Sequence, residues 1–134
     1  FTDFVISHSH LTVFGTFVVW AIAGTIYVWP KIHDQELWSF KMGNWSFWLI
    51  TSGITLMGLV LTMGGLMQGT MWMKGTEWLD TVVAMRPYWL VRTLAGISMD
   101  IGISLLVINL MKTALNSSKN GKPTAQFAGT GEVA

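Results

Sequence analysis

The chain has 134 residues, 51% of them hydrophobic and only 11% charged, with a formal net charge of +1. Soluble domains average about 25% charged residues, so this balance sets the chain apart from them, and so small a net charge leaves no electrostatic footprint for a nucleic-acid partner. The absence of cysteine excludes disulfides, iron–sulfur clusters and heme attachment through Cys-x-x-Cys-His.

A mean hydropathy of +0.50, eight tryptophans and nine methionines suit a membrane protein with interfacial aromatics. The first residues lack the basic segment of a cleavable signal peptide. The chain opens with Phe1 rather than Met, as expected of a truncated, processed or split polypeptide.

Three segments reach the length of about 20 apolar residues that a bilayer crossing needs. The first covers residues 4–29 and is expected to stop at Pro30, because proline cannot continue the hydrogen-bond ladder. The second covers residues 45–72, with Asn44 as the expected N-cap. The third covers residues 87–115, with Pro87 placed in its first turn. The links at 31–43 and 73–86 are short and polar, so the helices are expected to be antiparallel neighbours. The expected fold is therefore all-α and integral to the membrane: three transmembrane helices within residues 1–115, forming part of a larger bundle. Residues 116–134 turn polar and small and read as a flexible tail.

Lys31 and Lys41 lie in the first link, and Lys112, Lys119 and Lys122 near the tail. Lys74, Arg86 and Arg92 lie toward the second link. The positive-inside rule puts the larger group in the cytoplasm and the start of the first span outside. Glycines recur in all three spans, where small residues let helix backbones or a flat cofactor approach closely. Docking on further helices is expected.

His8-Ser9-His10 stands just inside the first apolar run. Imidazole is costly in hydrocarbon, so histidine there is a candidate functional group. On an α-helix, residues two apart diverge by roughly 200°. The two rings therefore cannot easily grip one metal atom, but they can serve two cofactors on opposite sides. Axial ligation of heme iron is the functional reading, since neutral imidazole ligates heme well. The plainer alternative is two interfacial histidines hydrogen-bonded near the headgroups.

Asp100 falls near the middle of the third span, where a carboxylate should face protein, water or a cation. A buried structural hydrogen bond is the favoured reading, and a place on a proton route is the other. Gln68 and Asn109 read as interhelical hydrogen-bonding groups. Thr2 and Asp3 read as caps of the first helix, with Asp3 also placed to approach an anionic group or a metal ion. Trp20, Trp29, Trp45, Trp48 and Trp72 read as belt or packing residues.

The run Phe1-Thr2-Asp3-Phe4-Val5-Ile6-Ser7-His8-Ser9-His10 resembles the His-x-His helix of heme-copper oxidase catalytic subunits. Tyr27-Val28-Trp29-Pro30-Lys31-Ile32 looks like the end of that helix in the cbb3-type branch. Leu37-Trp38-Ser39, Phe47-Trp48-Leu49, Met67-Gln68-Gly69-Thr70-Met71-Trp72 and Arg86-Pro87-Tyr88-Trp89-Leu90-Val91-Arg92 follow in order. The resemblance covers residues 1–115 and implies the last three helices of the catalytic subunit.

It further implies that His8 is the proximal ligand of the high-spin heme b, where oxygen is reduced. His10 would be one axial ligand of the low-spin heme b, which relays electrons. Arg86 and Arg92 become candidate partners of the anionic heme propionates, because guanidinium pairs with carboxylate in bidentate fashion. Snorkelling anchors are their plainer reading. Histidine usually stands in the family where Arg86 does here. The copper site, or non-heme iron in the related nitric oxide reductases, needs histidines from helices outside this chain. His33, the only other histidine, lies in the first link.

The implied function is a heme-binding portion of a terminal oxidase that reduces oxygen with electrons from cytochrome c, coupled to proton translocation. The implied partners are the remaining helices of the subunit, c-type cytochrome subunits and the bilayer, in a bacterial inner membrane. The histidine end would face the periplasm and the C-terminal tail the cytoplasm. A nitric oxide reductase is the nearest rival, because His10-Leu11 followed by Phe14-Gly15 looks rather like that branch. A non-catalytic heme-binding subunit of a respiratory complex is a third reading, and a heme-free structural bundle is a fourth.

Overall fold

A computed structural model describes residues 2–119. Among them, helix α1 runs Asp3–Ile32, α2 runs Phe40–Met73 and α3 runs Trp78–Lys119. Each is long and apolar enough to cross a membrane, and the all-α architecture expected from the hydropathy pattern is what the structure has. Four residues between α2 and α3 and seven between α1 and α2 leave neighbouring helices no choice but to run antiparallel. Gly75 makes the second turn with a φ of 73°, a left-handed conformation that glycine adopts without steric cost.

The centre of the bundle is the long α2–α3 seam. Ile54, Met57 and Leu61 of α2 meet Ala95 and Met99 of α3, with Phe14 of α1 laid against them. Close approach depends on missing side chains. A Cβ on Gly53 would come within 2.5 Å of Met99 Cγ and 2.9 Å of the Ala95 carbonyl oxygen. One on Gly65 would run into the backbone of Phe4, so this glycine is where α1 crosses α2 most tightly.

Helix α1 is not uniform. Asp3–His10 is α-helical, Leu11–Val18 is a π-helix, and Val19–Ile32 is α-helical again. The first segment is packed on α2, whereas no residue from Leu11 to Ile32 is buried. An apolar gap lined by Ile22, Ile26, Phe47 and Ile50 separates the later part of α1 from α2.

The helix ends depart from the expected ones, for physical reasons. Pro30 lies inside α1, which continues to Ile32. Proline lacks the N–H but its carbonyl still accepts, here from Gln35 N at 3.0 Å. Asn44 is not the N-cap of α2. Ser39 is, accepting from Met42 N at 3.3 Å, and Ser39 is itself held by Asn109. Asn109 accepts from Ser39 N at 3.0 Å and donates to Ser39 O at 3.0 Å, while Thr113 Oγ1 accepts from Trp38 N. The first connector is thus pinned to α3 by buried polar groups.

Pro87 is not in a first turn, because α3 begins nine residues earlier at Trp78. The link expected at 73–86 shrinks to 74–77, and Arg86 lies on the helix rather than before it. The tail expected from residue 116 begins later, since α3 continues to Lys119. Residues 120–134, the rest of that tail, lie outside the described residues.

Candidate functional site

The histidine pair sits on the best-anchored turns of α1. Thr2, the N-cap, makes no capping bond with its side chain. The first N–H of the helix is satisfied from another helix instead: Asp3 N donates to Gln68 Oε1 of α2 at 2.7 Å. The Asp3 carboxylate turns the other way and accepts from the Trp89 indole N–H of α3 at 2.8 Å. One turn later Ser7 Oγ donates to the Gly58 carbonyl at 2.8 Å and lies 2.9 Å from Thr62 Oγ1. Asp3 and Ser7 are both buried. The resulting clamp fixes the height and rotation of the segment at both ends.

Histidine directions follow from that clamp. At about 100° per residue, His8 lies about 100° to one side of the buried Ser7 face and His10 about 60° to the other. Both are exposed on the described chain, on opposite flanks of the helix. His10 Nδ1 lies 2.8 Å from the carbonyl oxygen of Ile6. A carbonyl only accepts, so Nδ1 is the donor in this bond and Nε2 is the ring nitrogen left to ligate. Histidine that ligates a metal is held in this way, with the other ring nitrogen donating to a backbone carbonyl or carboxylate.

His10 opens onto a groove of about 610 Å³ between α1 and α3. Arg92 and Asp100 line it two turns apart on one face of α3, with Gly96 between them. Trp89 and Met57 form further walls. A Cβ on Gly96 would meet nothing within 4 Å, so the face between the two charges is open. The carboxyl-bearing Asp100 is exposed on the described chain and lines this groove. The reason is rotational: Met99 takes the inward position, and the next residue turns about 100° away.

The two arginines separate. The bonds Asp3–Trp89 and Trp29–Leu110 show α1 and α3 running parallel. With a rise of about 1.5 Å per residue, Arg92 lies within about one turn of the histidines. Arg86 lies about 9 Å farther outward and does not line the groove. His33 is in the connector at the opposite end, with its ring 5.0 Å from that of Trp29. Among the described residues, no three His, Cys, Asp or Glu side chains cluster to hold a metal ion. Gln68 and Asn109 do make the bonds between elements expected of them. Sequence reasoning misses Trp89 and Ser7 as site residues. An Asp and a Ser one turn apart in an otherwise apolar run are the available signal.

Residues 1–98 match the family Cytochrome C and Quinol oxidase polypeptide I. The chain belongs to this family. A cytochrome c oxidase subunit 1 homolog from Agrobacterium tumefaciens is 28% identical over 96% of this chain and 26% of its own length. The bacteroid homolog from Bradyrhizobium diazoefficiens is 31% identical over 84% of the chain and 22% of its own length. The Cbb3-type cytochrome c oxidase subunit CcoN1 of Stutzerimonas stutzeri is 27% identical over 84% of the chain and 26% of its length. The chain thus spans about a quarter of the length of the curated relatives it matches. No solved structure matches. The resemblance to heme-copper oxidase subunit I is borne out, and family and helices together make this a multi-pass membrane chain.

Proposed function

We propose that this chain is a heme-binding portion of the catalytic subunit of a terminal respiratory oxidase, of the cbb3 type. The observation that carries the reading is the His10 turn. Its ring is fixed through Nδ1 on Ile6, and the residue lines a groove that also holds Arg92. The residues present fit a heme. The donor is a neutral imidazole, the glycine-floored face of α3 leaves room for a flat ring, and a guanidinium stands within a turn for a propionate.

In this reading His10 is one axial ligand of a low-spin heme b and His8 the proximal ligand of a high-spin heme b. When bound, the heme at His10 would supply electron relay and the heme at His8 oxygen chemistry. The chain's own residues do the positioning. Asp3, Ser7, Gln68 and Trp89 hold the ligand turn, and one rigid helix carrying both ligands fixes the spacing between the two sites. Arg92 neutralises a propionate in the His10 groove. Arg86, farther outward, is assigned to a propionate only by the resemblance. Copper B, the second low-spin ligand and the remaining pocket walls come from helices outside this chain.

The relatives' names favour cytochrome c as the electron source and oxygen as substrate. Coupled proton translocation and partnership with c-type cytochrome subunits follow from the same resemblance. The lysine and arginine pattern supports a bacterial inner-membrane location with the histidine end toward the periplasm. Asp100 is assigned no step.

The test is a reduced-minus-oxidised spectrum of the natively purified complex, with and without carbon monoxide, plus metal analysis. A low-spin b signal, a carbon monoxide-sensitive high-spin signal and copper are expected. Non-heme iron in place of copper would move the assignment to nitric oxide reduction. Low-spin heme without a carbon monoxide response would leave an electron-carrying subunit. No heme would leave a structural bundle.

A further inference from the structure

We propose that Asp3 is a positioning residue for the His10 site, acting through Trp89. The proposal rests on the reading of His10 as a heme ligand. Trp89 has two faces to its role: its indole N–H donates to the Asp3 carboxylate at 2.8 Å, and the residue is also a wall of the groove that His10 opens onto. Asp3 is therefore joined to both sides of the site. Its backbone N–H, held by Gln68, sets the turn that carries the histidines, and its side chain holds a wall of the groove that His10 also lines.

A purely mechanical tie does not need a carboxylate. Elsewhere in this molecule the Trp29 indole is held at 3.0 Å by the backbone carbonyl of Leu110 alone. Asp3 is only 8% exposed. Burying a carboxylate is unfavourable unless it is hydrogen-bonded, and the bond that it makes in return is a charge-assisted one, shorter and stiffer than a neutral pair. The stiffer bond is spent on the one tryptophan that lines the groove. Holding a groove wall and the ligand turn with a single residue keeps ring plane and imidazole plane in a fixed relation.

The experiment compares the intact complex carrying Asp3→Leu, Asp3→Asn, Trp89→Phe and the Asp3→Leu/Trp89→Phe pair. Heme content, the low-spin electron paramagnetic resonance signal and the low-spin midpoint potential are read on each. Asp3→Leu is expected to retain both hemes but to shift and broaden the low-spin signal and move its potential. Asp3→Asn, which keeps an acceptor oxygen for the indole but loses the charge-assisted bond, should shift the signal less than Asp3→Leu does. Trp89→Phe should reproduce Asp3→Leu, and the pair should add little to either, as expected for two residues acting through one bond. A low-spin signal and potential unchanged in Asp3→Leu, with only thermal stability reduced, would overturn the proposal. If Asp3→Leu fails to assemble, an unchanged signal in Trp89→Phe overturns it equally. A wild-type complex without heme would instead sink the underlying heme reading.

Discussion

The two halves of helix α1 differ in what holds them. Asp3–His10 is tied to α2 and α3 through Asp3, Ser7, Gln68 and Trp89, and the Phe4 backbone lies directly on Gly65. Leu11–Ile32 has no buried residue and begins with a π-helical stretch. The same apolar run is thus a fixed platform at one end and a lightly held rod at the other, where Phe14 lies against the core and Trp29 bonds the Leu110 carbonyl. Within α1 most bonds to other helices fall on the turns that carry the two histidines, and a hydrogen bond constrains direction while apolar contact is non-directional. The rod's exposed Val13, Phe17 and Trp20 are suited to the further helices that the family's greater length implies. The π-helix falls directly after His10, at the junction between the halves, and such segments are frequent near functional sites.

Substitutions at glycines should break this contrast most sharply. Gly65→Val is expected to destabilise the subunit by about 3 kcal/mol or more, since overpacking here meets backbone rather than a flexible side chain. Thermal unfolding of the complex, together with heme retention, checks it. A near-neutral result would mean that α1 does not cross α2 at that point.

Asn109→Ala is next. Asn109 is fully buried and makes two bonds to Ser39, so its removal should cost about 1–3 kcal/mol. The loss should appear as faster proteolysis of the 33–39 connector without a change in the heme spectrum. A spectral change would show that the two ends of the bundle are coupled.

Arg92→Gln should lower the low-spin midpoint potential by tens of millivolts, because removing a nearby positive charge disfavours the reduced iron. Arg86→Gln should move it less, being farther from the groove. Redox titration of both variants orders them, and the reverse order would reassign the propionate partner. The smallest effect is expected at Gly24→Ala, where an added Cβ meets nothing within 4 Å of this chain. A loss of more than about 1 kcal/mol there, the usual scale for overpacking, would locate a helix from outside the chain against α1.

Much of this architecture is legible from hydropathy and spacing. Three spans, their antiparallel order and the divergence of His8 from His10 all follow from the length of apolar runs and the helical period. Helix ends are not legible, because apolar residues mark the thickness of hydrocarbon and not the extent of the backbone ladder. Hence α2 starts at Phe40 and α3 at Trp78, outside the apolar windows. Pro87 misleads for the same reason, since a proline inside a long helix looks like a first-turn proline when the polar turns before it are discounted. The π-helical stretch leaves no mark in the sequence. The clamp is half visible: Asp3 stands out as a carboxylate at the start of an apolar run, but its partner on α3 is 86 residues away, and such pairings need the three-dimensional arrangement.

The central claim is that one anchored turn aims two imidazoles at two different hemes. The most direct test is the reduced-minus-oxidised spectrum, with and without carbon monoxide, of His8→Ala and His10→Ala in the intact complex. The account predicts that His8→Ala loses the carbon monoxide-binding heme and keeps the low-spin signal, and that His10→Ala does the opposite. Both heme signals surviving in either variant would contradict it.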